Sequence, residues 1–306
     1  MISTLTIGSR GSKLALTQTN HIADAIRRLR PGLEVRIEII KTTGDRILDA
    51  PLAKIGGKGL FTKELEVAMI DRLIDLAVHS MKDLPTELPE GLCIGAVPPR
   101  VTPNDALVCS KFESIESLPA GARVGTSSLR RIAQLRAVRP DLNIVDLRGN
   151  VDTRIGKVAD GELDAAILAC AGLQRIGRAD AIRQVISEDV MISAAAQGAL
   201  GLEIREDDED LKAILAELND LASAREVEAE RTLLGALGGG CQVPIGARAS
   251  VEGGNLHLLA CVCSLDGNTL IRTSRMGSVD NPHELGMRVA SELLQRGADA
   301  IVASIR

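Results

Sequence analysis

Aromatic side chains are almost missing from this chain of 306 residues: two Phe, no Tyr and no Trp. That excludes several recognition modes at once. Single-stranded nucleic acid loses its stacking platform, a quaternary ammonium loses its aromatic cage, and no tyrosine is available as a proton donor. Long apolar runs are missing too. The longest, Ala165 to Ala171, has seven residues, far short of the roughly 20 that a membrane-spanning helix needs. Near the start, Arg10 and Lys13 interrupt the only apolar stretch, so no secretory signal is expected. The six cysteines contain no C-x-x-C pair and the four histidines are scattered. Neither a disulfide framework nor a metal centre is expected, and the cysteine usage points to a reducing, cytoplasmic setting. An excess of positive charge is also absent: 36 Lys+Arg face 41 Asp+Glu, a net charge of -5. Such a chain binds polyanions poorly unless its basic residues cluster.

What the chain does contain is a duplication. Leu5-Thr6-Ile7-Gly8-Ser9-Arg10-Gly11-Ser12-Lys13-Leu14-Ala15 reads as a strand, a small-residue loop and a helix start. It recurs as Arg123-Val124-Gly125-Thr126-Ser127-Ser128-Leu129-Arg130-Arg131-Ile132-Ala133. Each helix stops at a matching signal, Arg30-Pro31 and Arg139-Pro140, and Ile74 to Val78 matches Leu163 to Ile167. Each half therefore reads strand, helix, strand, helix, strand, which implies a mainly parallel sheet covered by helices. The expected fold is α/β: two duplicated lobes facing a cleft, plus a smaller α+β domain at the C-terminal end. Domain 1 is expected over 1–98 and 200–216, domain 2 over 104–193 and domain 3 over 219–306. Paired α/β lobes hold ligands at the C-terminal ends of their strands. The two Gly-Ser/Thr loops lie there and open helices, which makes them candidate anion sites; small residues that merely form a turn and an N-cap are the plainer alternative.

Arginine is concentrated between positions 123 and 154. Arg123, Arg130, Arg131, Arg136, Arg139, Arg148 and Arg154 stand against Asp141, Asp146 and Asp152, seven positive charges against three negative, locally +4. Arg10 holds the equivalent loop of the first half and Arg175 follows a strand end. Arginine's planar fork suits carboxylate or phosphate, so a ligand with several anionic groups is implied. A solvated helix face accounts for Arg136 and Arg139. Arg130 and Arg131 sit in a first turn, where the helix dipole disfavours a cation, and a ligand would explain them better. Asp83 follows Leu76-Ala77-Val78-His79-Ser80-Met81-Lys82 at the mouth of a buried strand. It is a candidate acid or base, or a salt-bridge partner of its cationic neighbours. Cys241 follows three glycines at a helix end, a loop that exposes sulfur as a nucleophile or attachment point requires; an ordinary loop cysteine is the alternative. Lys54 to Phe61 fails the phosphate-loop pattern and reads as a flap. Cys93, Cys109 and Cys170 sit in apolar, strand-like runs and read as core.

These residues resemble the porphobilinogen deaminase family over nearly the whole chain. The resemblance is carried by Ile7 to Leu16, Gly56-Gly57-Lys58-Gly59-Leu60-Phe61, His79 to Pro85, Gly125 to Arg131, Leu147 to Arg154 and Gly239 to Gly246. It implies an enzyme that condenses four porphobilinogen molecules head to tail, with release of ammonia, into linear hydroxymethylbilane for haem and other tetrapyrroles. It implies a dipyrromethane cofactor joined by a thioether to Cys241, and proton handling by Asp83. Arg10, Lys82, Arg130, Arg131, Arg148, Arg154 and Arg175 match positions that hold acetate and propionate groups. Ser12, Gln18, Ser80, Thr126, Ser128 and Gln197 match further contacts, while Lys58 and Phe61 fall in the flap. The first two domains are expected to resemble periplasmic binding proteins. Physical chemistry agrees: each pyrrole brings two carboxylates, and an ionised Asp83 would stabilise the cationic, azafulvene-like carbon left when ammonia departs. Three departures stand out. Where the family often shows Pro-Ala-x-Gly-Gln this chain has Ser193-Ala194-Ala195-Ala196-Gln197, where a His pair is common it has Asp220-Leu221, and where a large residue is frequent it has Thr17. A binding module without turnover is the alternative from another class, disfavoured by the third domain and Cys241. The expected partner is the small molecule porphobilinogen, with no nucleic acid, no membrane and no metal, and the chain is expected to be monomeric.

Overall fold

The computed structural model describes residues 2–46, 59–240 and 243–305. Strand β1 (Thr4–Ser9) buries Leu5 and Ile7 and leads into α1 (Lys13–Leu29), whose buried Ala15, Ile22, Ala23 and Ile26 recur at helical spacing. Ser12 caps α1 by accepting from the Ala15 N–H at 3.2 Å. At the far end the Arg30 N–H bonds the Ile26 carbonyl at 2.8 Å just before Pro31, which cannot continue the helix. Then come β2 (Glu34–Ile39), the single turn α2 (Thr43–Arg46), α3 (Lys63–Ile70), β3 (Leu76–Ser80), a 3-10 turn (Met81–Asp83) and β4 (Leu92–Ala96).

The second lobe opens with β5 (Asp105–Val108). It repeats the order of the first as β6 (Arg123–Gly125), α4 (Leu129–Val138), β7 (Asn143–Val145), α5 (Val151–Ala159) and β8 (Ala165–Ala169), followed by α6 (Cys170–Arg175) and β9 (Ile182–Val185). After β10 (Leu200–Arg205), Asp208 caps α7 (Glu209–Leu215) through the Leu211 N–H. The long α8 (Leu221–Ala236) follows; Asp220, in place of the histidine pair, accepts from the Ser223 N–H at 2.8 Å in its first turn. The chain finishes as β11 (Ile245–Glu252), β12 (Asn255–Cys263), β13 (Leu270–Ser278), α9 (Pro282–Gln295) and α10 (Ala298–Ala303).

These elements make three sheets, ordered β2-β1-β3-β10-β4, β7-β6-β8-β5-β9 and β11-β12-β13. The first two share one plan. Three strands run parallel, and the fourth position holds a strand antiparallel to its neighbours, β10 in one sheet and β5 in the other. The expected parallel core is present, with one inserted antiparallel strand per sheet. Each inserted strand adjoins a crossing of the chain between lobes, so it arrives from the opposite direction. The chain divides into two compact units, Met1–Arg100 with Ala199–Ala224, and Val101–Gly198 with Arg225–Arg306. The third sheet belongs to the second unit and is joined to its lobe by the Ala247 N–H to Ser193 carbonyl bond of 2.9 Å.

With so few aromatics the cores are aliphatic. Leu5, Ile7, Ile22, Ile26, Leu76, Leu202 and Ile204 form that of the first lobe, and Leu107, Val124, Leu135 and Ile167 lie at the heart of the second. Each such side chain contributes about 1.5–3 kcal/mol on full burial. Cys109 and Cys170 are buried as expected, although Cys170 opens α6 instead of extending β8, and Cys93 is only half-buried. The strand ends at Ala169 because the Cys170 N–H turns to the Asn104 carbonyl at 3.0 Å. Among the described residues no helix is long and apolar enough to cross a membrane.

Candidate active site

In unit 1 the candidates gather at the C-terminal ends of β1 and β3. Arg10 leaves the β1 loop and forks onto Asp45, Nη2 to Oδ1 at 2.5 Å and Nε to Oδ2 at 3.3 Å. Its guanidinium also lies 4.1 Å from the Phe61 ring centroid, a cation–π contact. Burial alone would raise the Asp45 pKa; the Arg10 bond and charge and the Thr42 hydroxyl outweigh it and hold the carboxyl below its usual range. Phe61 packs where Gly44 leaves room, since a Cβ on Gly44 would lie 2.2 Å from the ring. Gln18, on the buried face of α1, donates to Ser80 Oγ at 2.9 Å. That bond ties α1 to the residue before the 3-10 turn carrying Lys82 and Asp83. Both of these are half-buried, and among the described residues no hydrogen bond or ion pair holds the Asp83 carboxylate.

In unit 2 the second small-residue loop ends β6 and starts α4. Thr126 is buried and its hydroxyl accepts from the Ser128 N–H at 3.3 Å, so Ser128 stands at the N-cap without capping through its own side chain. Arg130 and Arg131 are not open to a ligand in this structure. Arg130 Nη1 and Arg131 Nη2 each reach a different oxygen of Asp105 at 2.7 Å, and all three side chains are at most 8% exposed. Arg130 Nη1 also donates to the Ile192 carbonyl and Arg131 Nη1 to that of Ile167, each at or below 2.8 Å. The cations that seemed to oppose the helix dipole thus have an internal counter-ion. Burial would raise the Asp105 pKa, but the charges of Arg130 and Arg131 and hydrogen bonds from Arg130 and Gln197 hold it far below the carboxylate range. Gln197 Nε2 adds a 2.9 Å bond to the same carboxylate. Asp105 is the residue the sequence reading missed. Its one signal was a charged residue opening a strand that is otherwise wholly apolar.

The other arginines differ. Arg148 is partly exposed and loosely paired with Asp146 at 3.3 Å; Arg154 donates to the Gly149 carbonyl at 2.8 Å. Arg175 donates to the Gly198 carbonyl at 2.7 Å, and among the described residues no carboxylate pairs with it. Burial pushes its guanidinium down to about 10. A half-hidden cation with no carboxylate partner among the described residues suits an anionic ligand. Lys58 and Cys241 lie outside the described residues. The backbone on either side of Cys241 is anchored, by Gly239 N–H to the Leu234 carbonyl at 2.9 Å and by Cys263 N–H to the Pro244 carbonyl at 3.1 Å. Cys261 and Cys263 are buried, and burial raises their thiols to about 12 and about 11; neither is a reactive thiolate.

Residues 5–213 match the family described as "Porphobilinogen deaminase, dipyromethane cofactor binding domain", and residues 224–295 match "Porphobilinogen deaminase, C-terminal domain". The chain belongs to the porphobilinogen deaminase family. Porphobilinogen deaminase of Maridesulfovibrio salexigens is 50% identical over 298 residues, covering 97% of each chain. That of Syntrophus aciditrophicus is 53% identical over 291 residues, covering 95% of each. Likeness to solved structures is loose. A putative methionine-binding lipoprotein from Bacillus subtilis gives a TM-score of 0.42 at 12% identity over 71% of this chain and 90% of that one. The enzyme condenses porphobilinogen, with release of ammonia, into the linear tetrapyrrole hydroxymethylbilane, using a dipyrromethane cofactor.

Proposed function

We propose that Asp83 is the proton-handling residue of this porphobilinogen deaminase and that Cys241 carries its dipyrromethane through a thioether. The observation that carries the reading is the Asp83 carboxylate, which no described residue bonds, fixed at a strand end by the Met81–Asp83 turn next to Lys82. As ammonia leaves porphobilinogen, the carbon left behind becomes cationic, and an ionised carboxylate stabilises it electrostatically. The same carboxylate accepts the proton released when the next pyrrole ring carbon bonds to that centre, and it gives a proton to the departing amine. Bound dipyrromethane supplies the pyrrole end on which the product chain is built. Arg148, Arg154 and Arg175 hold carboxylates directly, as do Lys82 and Arg10, the latter exchanging part of its Asp45 contact. Arg130 and Arg131 act through Asp105, fixing the first turn of α4 and the backbone N–H groups beside Thr126 and Ser128. Ser12, Gln18, Ser80 and Gln197 hold these loops in place. The third sheet forms the domain that carries Cys241, and the enzyme works as a cytoplasmic monomer.

Intact-mass measurement tests this. Active protein should be heavier than its sequence by two pyrrole units, and Cys241→Ser should remove that increment together with turnover. Asp83→Asn should keep the added mass and lose nearly all turnover. Active protein of unmodified mass sinks the thioether reading, and near-normal turnover in Asp83→Asn sinks the acid–base role.

A further inference from the structure

Behind the turn that carries Asp83, one face of the unit 1 sheet is charged where it packs on α3. His79, the penultimate residue of β3, and Glu203, on the adjacent β10, bring Nε2 and Oε2 to 2.8 Å with side chains 4% and 0% exposed. Glu66 of α3, 7% exposed, adds a second buried carboxylate. In the antiparallel register His79 lies opposite Gly201 and Glu203 opposite Ala77, so these four residues share a face. The missing side chain of Gly201 seats the turn itself, because a Cβ there would stand 2.1 Å from Met81 Sδ. Two residues beyond Glu203, Arg205 bonds the Met69 and Ile74 carbonyls and Asp75, closing the other end of the face. One side of β10 therefore meets the Asp83 turn, the ionic cluster and the end of α3 in succession.

The cluster is short of partners. His79 Nε2, both oxygens of Glu203 and Glu66 Oε1 have no hydrogen-bond partner among the described residues, so the 2.8 Å approach of His79 to Glu203 is an ionic contact outside hydrogen-bond geometry. With every group ionised, two negative charges and one positive would be sealed from water, which is strongly disfavoured. A proton relieves this, and the geometry decides where it resides. Glu203 lies against the imidazole. Burial is the main influence on Glu66 and raises its pKa; the Thr62 hydroxyl lowers it, the charge of Glu203 raises it, His79 lowers it and Glu64 on the same helix raises it, with a net rise.

We propose that Glu66, Glu203 and His79 form a buried positioning cluster for the Met81–Asp83 turn, with Glu203 held against His79 and Glu66 the carboxyl that carries the proton. It rests on the role of Asp83 given above. His79 is joined to Asp83 through Ser80, which Gln18 holds, and Met81, whose N–H bonds the Ala199 carbonyl at 3.1 Å. Displacing His79 from Glu203 moves the turn with it. Removing the Glu66 proton places a second negative charge behind Asp83 and slows the reaction.

The test compares E203Q, E66Q, H79Q and D83N as purified protein whose mass shows both pyrroles attached, measuring kcat and KM from about pH 6 to 9. E203Q should lower kcat by about 10-fold or more with KM within about 2-fold, while E66Q, which copies a protonated carboxyl, should lower kcat by no more than about 3-fold. E66Q should also lose whatever alkaline fall in kcat the natural enzyme shows through this group. H79Q keeps a donor toward Glu203 without the charge, should lose kcat in the same sense as E203Q, and stands in for it should E203Q not fold. The inference is overturned when E203Q, or H79Q in its place, matches E66Q in kcat and pH profile, or when thermal stability falls while both profiles stay natural. D83N separates the two readings. Turnover in D83N rejects the role of Asp83, whereas an inactive D83N beside a fully active E203Q rejects the cluster alone.

Discussion

Asp105 carries more of unit 2 than any residue the motifs single out. Its two oxygens divide Arg130 from Arg131, and a third donor comes from Gln197. Replacing it with Asn leaves two buried guanidiniums without a charge opposite, which costs about 3–5 kcal/mol. The pH dependence has a definite sign. A carboxylate held low in the folded state contributes stability that is complete above its unfolded value of 3.8 and is lost as pH falls below it. The gap between natural protein and Asp105→Asn in chemical denaturation should therefore be full at neutral pH. It should narrow by about 1.4 kcal/mol per pH unit below that value; a gap that stays constant into acid would show that Asp105 is not ionised in the fold. Spacing and charge made Arg130 and Arg131 stand out in the sequence. Their partner did not, because it lies 25 residues away, just inside the expected start of domain 2. Pairing across that distance is a property of the sheet, not of either segment.

At the level of elements, the duplication was legible: strand, loop and helix recur at β1–α1 and β6–α4, down to the proline after each helix. The antiparallel insertion of β10 and β5 at the fourth position of each sheet was not. Both have ordinary strand patterns, and although 200–216 was expected in domain 1 and 104–193 in domain 2, nothing local says in which direction a strand pairs. The segment before β10 shows what such an insertion demands. Gly198 has φ +88°, and a Cβ there would lie 2.4 Å from the Val101 carbonyl oxygen, so the two crossings touch only because the side chain is missing. Ala196, two residues earlier, sits at φ +60° with a side chain, at the position where the family pattern has glycine. Glu230, buried on α8, holds it by accepting from its N–H at 2.5 Å and from that of Ala249 at 2.6 Å. A left-handed alanine costs roughly 1–2 kcal/mol, of which about 0.5–1 kcal/mol returns as lost backbone entropy when glycine replaces it. Ala196→Gly should therefore raise the stability of unit 2 by about 0.5–1 kcal/mol, read as a later denaturant midpoint at unchanged slope. An earlier midpoint would mean that the Glu230 bond holds Ala196 without strain.

Across the whole molecule, the shortage of aromatics decides how a pyrrole can be held. Phe61 is the one aromatic beside the candidate residues, and its face is already taken by Arg10. Recognition then rests on charge, in a chain whose net charge is -5 and whose segment 123–154 stands apart at +4. Binding that rests on charge is screened by salt, whereas stacking is not. The Debye length falls from about 10 Å at 0.1 M to about 3 Å at 1 M, and half-exposed pairs feel this far more than buried ones. Arg148, Arg154 and Arg175 are all partly exposed, but burial weighs on Arg175 enough to push its guanidinium down, so it stands closer to the second kind. Raising ionic strength should therefore increase the KM for porphobilinogen several-fold, while kcat, which the role proposed for Asp83 places at its half-buried turn, changes little. Arg148→Gln should raise KM at low salt and flatten its salt dependence, since the screened contact is already gone. Arg175→Gln should raise KM by a similar factor at every salt concentration. Equal salt dependence in both variants would place the carboxylates of the substrate elsewhere, and a KM indifferent to salt in the natural enzyme would remove charge as the basis of recognition.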